Sequence, residues 1–213
     1  MIISEAFEVH TTLNPKIWTE DNQLRPEVKA KIIEIVDAFK EYIEVPIYIS
    51  DICLIGSNAS YNYTDSSDLD VHIIANYDLV TADTEILQSL YNTLRAKFGK
   101  DYDISIHGVE IELFVEDVKT NAVTNGIYSI YQDKWIKFPK PLQNIVQYDI
   151  FKEMEFWKVR ADAAIRSNDK DDIAKVISNI YLLRKNSLAT GGEYSKGNQI
   201  FKEIRNQGIL DDL

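Results

Sequence analysis

The sequence predicts an α+β fold, in which a small mixed β-sheet is flanked by helices and followed by a helical module at the C-terminal end. Three short apolar runs at 47–55, 68–75 and 103–116 have the length and alternation of strands. Longer segments with apolar residues at helical spacing separate and follow these runs. A chain of 213 residues suffices for one core with an appended module. We therefore expect a first domain over 1–140 and a helical module over 141–213.

Apolar spacing also predicts the helices of the first domain. Pro26 suits the first turn of a helix, and apolar side chains recur at helical spacing from there to about residue 44. A short helix is expected over 58–63, and residues 1–23 are expected to be mostly irregular. Another long helix is predicted over about 83–98. Its inward-facing residues are expected to be Ile86, Leu87, Leu90, Leu94 and Phe98.

The C-terminal module is predicted to contain three helices, over about 146–167, 171–187 and 197–207. Its boundary with the first domain is placed near the prolines at 139–141. The inward stripe of its first helix is expected to comprise Phe151, Met154, Trp157 and Ala164.

A motif with fixed spacing points to the function. Gly56 and Ser57 end the first apolar run, and after ten residues Asp68 and Asp70 open the next one. Side chains at i and i+2 of a strand face the same way, roughly 6.5–7 Å apart. Two carboxylates held opposite a small-residue turn make a frame for divalent cations and a polyphosphate. The order and spacing of these residues indicate a nucleotidyltransferase.

The chemistry of nucleotidyl transfer explains each residue type. Mg²⁺ prefers carboxylate and phosphate oxygens, so Asp68 and Asp70 are the predicted metal ligands. Gly56 lets the backbone approach a phosphate, while the Ser57 hydroxyl and nearby amides donate hydrogen bonds. Asn58 belongs to the predicted nucleotide-binding set, because it would open the short helix whose N-terminus favours an anion.

A third acidic ligand is expected from the next strand pair. Alternation over 109–115 places Glu110, Glu112 and Phe114 on one face of a strand. We favour Glu112 because it is more central and has apolar neighbours on both sides. Glu110 remains the alternative, and both glutamates would lie on the wet face of a hairpin if neither binds metal.

Several other side chains have two interpretations. His72 shares the strand parity of Asp70 and either fills the floor of the cleft or contacts a phosphate or the acceptor. Arg184 and Lys202 in the C-terminal module are candidates for contact with phosphate, although surface cations near helix ends are common. The histidines and the single Cys53 form no pattern that supports a zinc site.

An aromatic segment lies at the end of the first domain. Its aromatic residues either stack on a nucleobase or cover an apolar seam between the two halves, and we favour the seam. They are Tyr128, Tyr131 and Trp135.

The motif resembles the core of the DNA polymerase β-like nucleotidyltransferase superfamily, which has Gly-Ser, about ten residues, Asp-x-Asp and a later acidic residue on a strand. The resemblance covers about residues 24–116. It implies that Gly56 and Ser57 bind the triphosphate and that Asp68 and Asp70 hold Mg²⁺, with Mn²⁺ as the alternative ion. The resemblance assigns the third metal ligand to Glu112 less directly, because many relatives have aspartate at this position.

Nearly the whole chain is also similar to predicted nucleotidyltransferases of tailed phages. The segments that carry this similarity include LNPKIW, VEIELFVED, NGIYSIYQDKWI and GGEYSKGNQIFKEIRNQGILDDL. The similarity implies the same fold and cofactor and leaves the acceptor open.

Charge and composition limit the classes of molecule that this chain is expected to bind. The formal net charge is −11, and it belongs to residues 1–140, because 141–213 contain 11 basic and 11 acidic side chains. Such an acidic chain is a poor binder of extended DNA or RNA. A small molecule, a protein or one end of a structured RNA remains as acceptor. The single cysteine suits the cytoplasm, which would be the host's if a phage encodes the chain, and no apolar run is long enough to cross a membrane.

Two alternative functions follow from the same residues. The ten-residue spacer also resembles minimal nucleotidyltransferases that modify a tyrosine of a partner toxin, although those are usually shorter and lack a helical tail. A nucleotide-binding sensor with little turnover is the other alternative.

Overall fold

A computed structural model describes residues 10–65, 67–121, 124–141, 146, 148–192 and 194–213. Among these, residues 10–141 form one compact unit, here called the sheet unit, and the residues from 146 to 213 form a second, the helical unit. The prediction of irregular structure over 1–9 lies outside the described residues. No helix in the described part of the chain is both long and apolar enough to cross a membrane.

The sheet unit is α+β, as predicted. Its two long helices are α1 (Pro26–Ile43) and α2 (Thr84–Asp101). Its strands are β1 (Ile49–Ile55), β2 (Leu69–Ala75), β3 (Ser105–Ile106), β4 (Val109–Asp117), β5 (Ile127–Ser129) and β6 (Lys134–Lys137). In the described residues the strands form one mixed sheet of order β3-β4-β2-β1-β5-β6, in which β2 and β4 are parallel and the other pairs antiparallel.

The predicted helix from Pro26 is confirmed. Proline occupies the first turn, where its missing N–H costs no hydrogen bond, and Glu44 ends the helix in the left-handed conformation. The helix buries an apolar stripe against the sheet, which comprises Val28, Ile32, Ile35, Val36, Phe39 and Ile43.

The two faces of the sheet differ in chemistry. Alternate strand residues pack with α1 and α2 in one core, which includes Leu54, Val71, Ile73, Leu113 and Val115. The opposite parity places polar side chains among apolar ones on the other face, here called the polar face. It carries Asp51, Cys53 and Ile55 on β1, Asp70, His72 and Ile74 on β2, and Glu112, Phe114 and Glu116 on β4. This alternation confirms the predicted strand parity of β4.

One local prediction is wrong and another is confirmed only in part. The predicted helix over 58–63 is a three-residue 3₁₀ turn, Ser57–Ala59, which ends because Ser60 adopts an extended conformation. In α2 the predicted inward residues Leu87 and Phe98 are buried and Leu94 packs against the core, whereas Ile86 and Leu90 are exposed and the buried Tyr91 was not predicted. Tyr91 continues the stripe from Leu87 at i+4 and donates its hydroxyl to the Pro46 carbonyl, 2.6 Å away.

The aromatic segment belongs to the sheet unit's own packing. Tyr128 is buried on β5, and Trp135 stacks on Trp18 with ring centroids 4.5 Å apart. Burial removes Tyr128 as a surface on which a nucleobase could stack, so that interpretation is wrong for this residue. Tyr131 is half-exposed.

The helical unit contains α3 (Phe151–Ser167), α4 (Lys170–Gly191) and α5 (Lys196–Asn206), close to the three predicted helices. Asn168 ends α3 in the left-handed conformation, and the Asp169 side chain caps α4. The core of the unit is built from Ile150, Met154, Ala161, Ala164, Val176, Ile180, Ile200, Phe201, Ile204 and Ile209. Phe151, predicted to face inward, is 44% exposed, because Ile150 just before the helix fills the core in its place.

Candidate active site

Gly56 lies directly beneath the carboxylate of Asp70. The glycine follows β1 with φ +78° and ψ −160°, a conformation that L side chains rarely adopt. A Cβ placed on Gly56 would lie 1.8 Å from Oδ2 of Asp70. Ile55 and Asp70 are opposite each other in the β1–β2 pair, which explains the close approach. The Gly-Ser turn and the second aspartate of the motif therefore form one local structure.

Asn58 holds the two ends of the ten-residue spacer together. Its side-chain Nδ2 donates to the carbonyls of Ser67 (3.1 Å) and Asp68 (2.8 Å), and its Oδ1 accepts from Asn14 Nδ2 at 2.7 Å. The side chain is fully buried, and the Asn58 carbonyl accepts from Trp18 Nε1 at 2.6 Å. The Asn58 side chain is thus committed to protein groups, and the contact of its backbone with a nucleotide stays a prediction. We assign its side chain a positioning role for the Asp68 segment.

The spacer ends in a tight turn that leads into β2. Thr64 and Ser67 exchange two hydrogen bonds, from Thr64 N to Ser67 Oγ (2.9 Å) and from Ser67 N to Thr64 O (3.1 Å). Asp68 follows this turn, and Asp70 is the second residue of β2. Both aspartates are half-buried.

Glu112 lies beside Asp70 across the parallel pair of β2 and β4. Residues in register on paired strands present their side chains to the same face, so the two carboxylates share the polar face. Glu110 instead pairs with Ser105 of β3, before the first β2–β4 pair. This register supports Glu112 over Glu110 as the third acidic residue.

Arg95, which the sequence did not single out, binds Glu112. Its Nη1 lies 3.2 Å from Glu112 Oε1 and donates to the Leu113 carbonyl at the same distance. The guanidinium also stacks over the Phe114 ring, 4.4 Å from its centroid. Arg95 comes from α2 and carries no motif, so its contact with the site depends on how the helix packs against β4.

The donor types fit Mg²⁺, but the described side chains do not yet form a three-ligand site. Carboxylates are the ligands that Mg²⁺ prefers, and Gly56 leaves room for the one on Asp70. Among the described residues, however, no group of three or more His, Cys, Asp or Glu side chains is placed to hold a metal ion. The Glu112 carboxylate instead binds Arg95.

His72 lies further along the polar face. Its imidazole is 7% exposed and stacks on Phe114, and its Nδ1 lies 3.1 Å from Glu116 Oε1. The neighbouring imidazole lowers the pKa of the Glu116 carboxyl, which outweighs the opposing effect of partial burial. His72 thus fills the floor of the polar face, one of its two predicted roles.

Cys53 also lies on this face, between Asp51 and Ile55. Burial, with smaller contributions from Asp51 and Glu116, raises the pKa of the Cys53 thiol to about 12. The thiol is therefore protonated near neutral pH and acts as a small apolar group.

Arg184 and Lys202 belong to the helical unit. The Arg184 guanidinium lies over the Phe201 ring, 4.6 Å from its centroid, and Lys202 is the next residue along α5. Their contact with phosphate stays a prediction.

Comparisons with known proteins give little information on the function of this chain. No protein-family model and no curated protein matches the chain. The STING-associated CdnE c-di-GMP synthase from Capnocytophaga granulosa is structurally similar, with 14% sequence identity and a TM-score of 0.27. The match covers 88% of this chain and 63% of that one, so this chain spans less than two thirds of its length. A TM-score this low carries no weight, and the proposed function depends on this chain's own residues.

Proposed function

We propose that the sheet unit is the catalytic domain of a Mg²⁺-dependent nucleotidyltransferase. It would transfer a nucleoside monophosphate from a nucleoside triphosphate to an acceptor. The observation that carries this proposal is the strand register that sets Glu112 beside Asp70, while Asp70 lies against Gly56. Paired strands are about 4.8 Å apart. The side chains of Asp70 and Glu112 are therefore close enough to contact the same pair of cations.

Each residue has a defined part in the proposed reaction. Gly56 and Ser57 bind the triphosphate through backbone N–H groups and a hydroxyl, and Asp68 and Asp70 hold Mg²⁺. The bound cation supplies charge neutralisation for the phosphate oxygens. The acceptor oxygen bonds to the α-phosphorus, the bond from the α-phosphorus to the bridging oxygen breaks, and pyrophosphate leaves. The acceptor's proton passes to a carboxylate, for which Glu112 is our candidate.

The pairing of Arg95 with Glu112 favours one alternative, a nucleotide sensor with little turnover. A carboxylate held by an arginine is less available as a ligand to a metal cation. The two functions differ in one observable. An enzyme releases pyrophosphate from a bound triphosphate, and this release stops in Glu112→Gln, whereas a sensor keeps the triphosphate intact in both proteins.

Both functions, enzyme and sensor, require binding of a triphosphate. Calorimetry with a non-hydrolysable triphosphate, with and without Mg²⁺, tests this step. We expect Mg²⁺-dependent binding that weakens roughly tenfold or more in Asp70→Asn, because a charged ligand to the cation is lost. Asp37→Asn, at an exposed position of α1, is the matched control and should bind like wild type. Equal binding by wild type and Asp70→Asn would contradict the proposal.

A further inference from the structure

A cavity of about 300 Å³ opens on the polar face next to the candidate active site. Its walls include the apolar side chains of Ile55 and Ile74 and the carboxylates of Asp51 and Glu116. Ile55 is opposite Asp70 in the β1–β2 pair, and His72, another wall residue, is two positions from Asp70 on the same face. A molecule in the cavity would therefore lie on the same face of the sheet as Asp70, against residues that are its strand partner and its neighbour two positions along β2. This volume suits a small polar ligand.

The charge of the cavity disfavours a phosphate. Asp51 and Glu116 both line it, and its described lining contains no lysine or arginine. Asp51 is held in place by hydrogen bonds from Ser129 Oγ (2.6 Å) and the Ile52 N–H (2.8 Å). A phosphate would meet two carboxylates and no counter-charge, which is unfavourable in a half-buried setting. The triphosphate therefore belongs at the Gly56 turn and not in this cavity.

The His72 imidazole in the cavity wall is nine-tenths buried, and its Nδ1 makes only a poorly aligned contact with Glu116 Oε1, 3.1 Å away. A carboxylate accepts several hydrogen bonds, so a donor group of a ligand that joins this pair would complete the hydrogen bonding of Glu116.

We propose that this cavity binds the acceptor, and that the acceptor is a small cationic molecule with a hydroxyl group. The ammonium group of the acceptor faces Glu116 and Asp51, and its hydroxyl points along β2 toward Asp70. This inference rests on the proposed nucleotidyl transfer, because that reaction requires a second substrate beside the carboxylates.

Three sugars of similar shape and different charge test the inference: glucosamine, glucose and glucose 6-phosphate. Each is titrated into the nucleotide-free protein and followed by saturation-transfer NMR. We expect glucosamine to bind at least about tenfold more tightly than the other two, the size of a charge-assisted hydrogen bond. Ile136→Trp fills the cavity from the exposed strand β6 and should abolish glucosamine binding. Glu116→Gln should weaken glucosamine binding, while Ile86→Trp, at an exposed isoleucine of α2, should leave it unchanged.

Binding of Mg²⁺ and the triphosphate is scored separately in the same proteins. Retained triphosphate binding in Ile136→Trp, together with lost glucosamine binding, supports the inference. It is overturned if glucose 6-phosphate binds as well as glucosamine, or if wild type binds triphosphate but not glucosamine. Loss of triphosphate binding in Ile136→Trp would place the nucleobase in the cavity and also overturn it. A wild type that binds no triphosphate contradicts the proposed function instead.

Discussion

The carboxylate of Asp70 occupies the space in which a side chain at Gly56 would begin. The turn and the aspartate are thus mutually dependent, because the glycine permits both the φ of +78° and the close contact. This contact ties the two halves of the motif together in space, although ten residues separate Ser57 from Asp68 along the chain.

Gly56→Ala should therefore damage both stability and binding. We expect the free energy of unfolding to fall by about 1–3 kcal/mol from backbone strain alone, and triphosphate binding to be lost as the Asp70 carboxylate is displaced. Gly99→Ala is the matched control, since a Cβ there has open space inside α2 and should stabilise the helix by about 0.5–1 kcal/mol. Chemical denaturation and calorimetry measure the two effects. Wild-type binding by Gly56→Ala would show that Asp70 does not need its observed position.

Asn58→Ala should loosen the segment that carries Asp68. The change removes the buried hydrogen bonds to Asn14, Ser67 and Asp68, so we expect a loss of about 2–4 kcal/mol in the free energy of unfolding. Triphosphate affinity should fall as well, although the Asn58 side chain touches no nucleotide. Asn186→Ala, at an exposed position of α4, is the control. If Asn58→Ala is destabilised but binds triphosphate like wild type, the positioning role assigned to Asn58 is contradicted.

Arg95→Gln should strengthen metal binding. The substitution removes the cation that now holds Glu112, so the carboxylate becomes available as a third ligand. A half-exposed ion pair contributes about 0.5–1 kcal/mol, so the Mn²⁺ affinity should rise about twofold to fivefold. Electron paramagnetic resonance of free Mn²⁺ measures it without any turnover. Lys97→Gln, on the same helix, is the control. A weaker Mn²⁺ affinity in Arg95→Gln would mean that Arg95 supports the site and does not compete for it.

Asp133 should make stability depend on pH. The Tyr128 hydroxyl, 2.9 Å from Oδ1, and the Lys29 ammonium lower the pKa of the Asp133 carboxyl. A depressed pKa in the folded state means that the stabilisation is present above the unfolded value and is lost as the pH falls through the folded one. The difference in unfolding free energy between wild type and Asp133→Asn should thus shrink below about pH 4.

Asparagine suits this test because it tolerates the left-handed conformation that Asp133 adopts at φ +53°. Urea titrations at several pH values give the difference directly. A difference that stays constant from neutral pH to below pH 3 would contradict the assigned cause.

Some expectations from the sequence failed because packing, and not periodicity, decides which residues face inward and which groups they contact. The apolar spacing of α2 allows more than one inward stripe, and contact with the sheet selects the one containing Leu87 and Tyr91 rather than Ile86. The role of Asn58 was equally hidden, because its partner Asn14 is 44 residues away in the sequence. A short polar side chain beside a glycine-serine turn has the same sequence signature whether it binds a ligand or the protein.

The sequence alone determined the α+β class, the helix from Pro26, the turn at Gly56 and the common face of Glu110 and Glu112, because each depends on local periodicity or local backbone conformation. Only the tertiary structure decided that Glu112 and not Glu110 lies beside Asp70, and that Arg95 reaches it. Strand register and helix packing join residues far apart in the chain, and their choice depends on the shared burial of many apolar side chains, which no local pattern specifies.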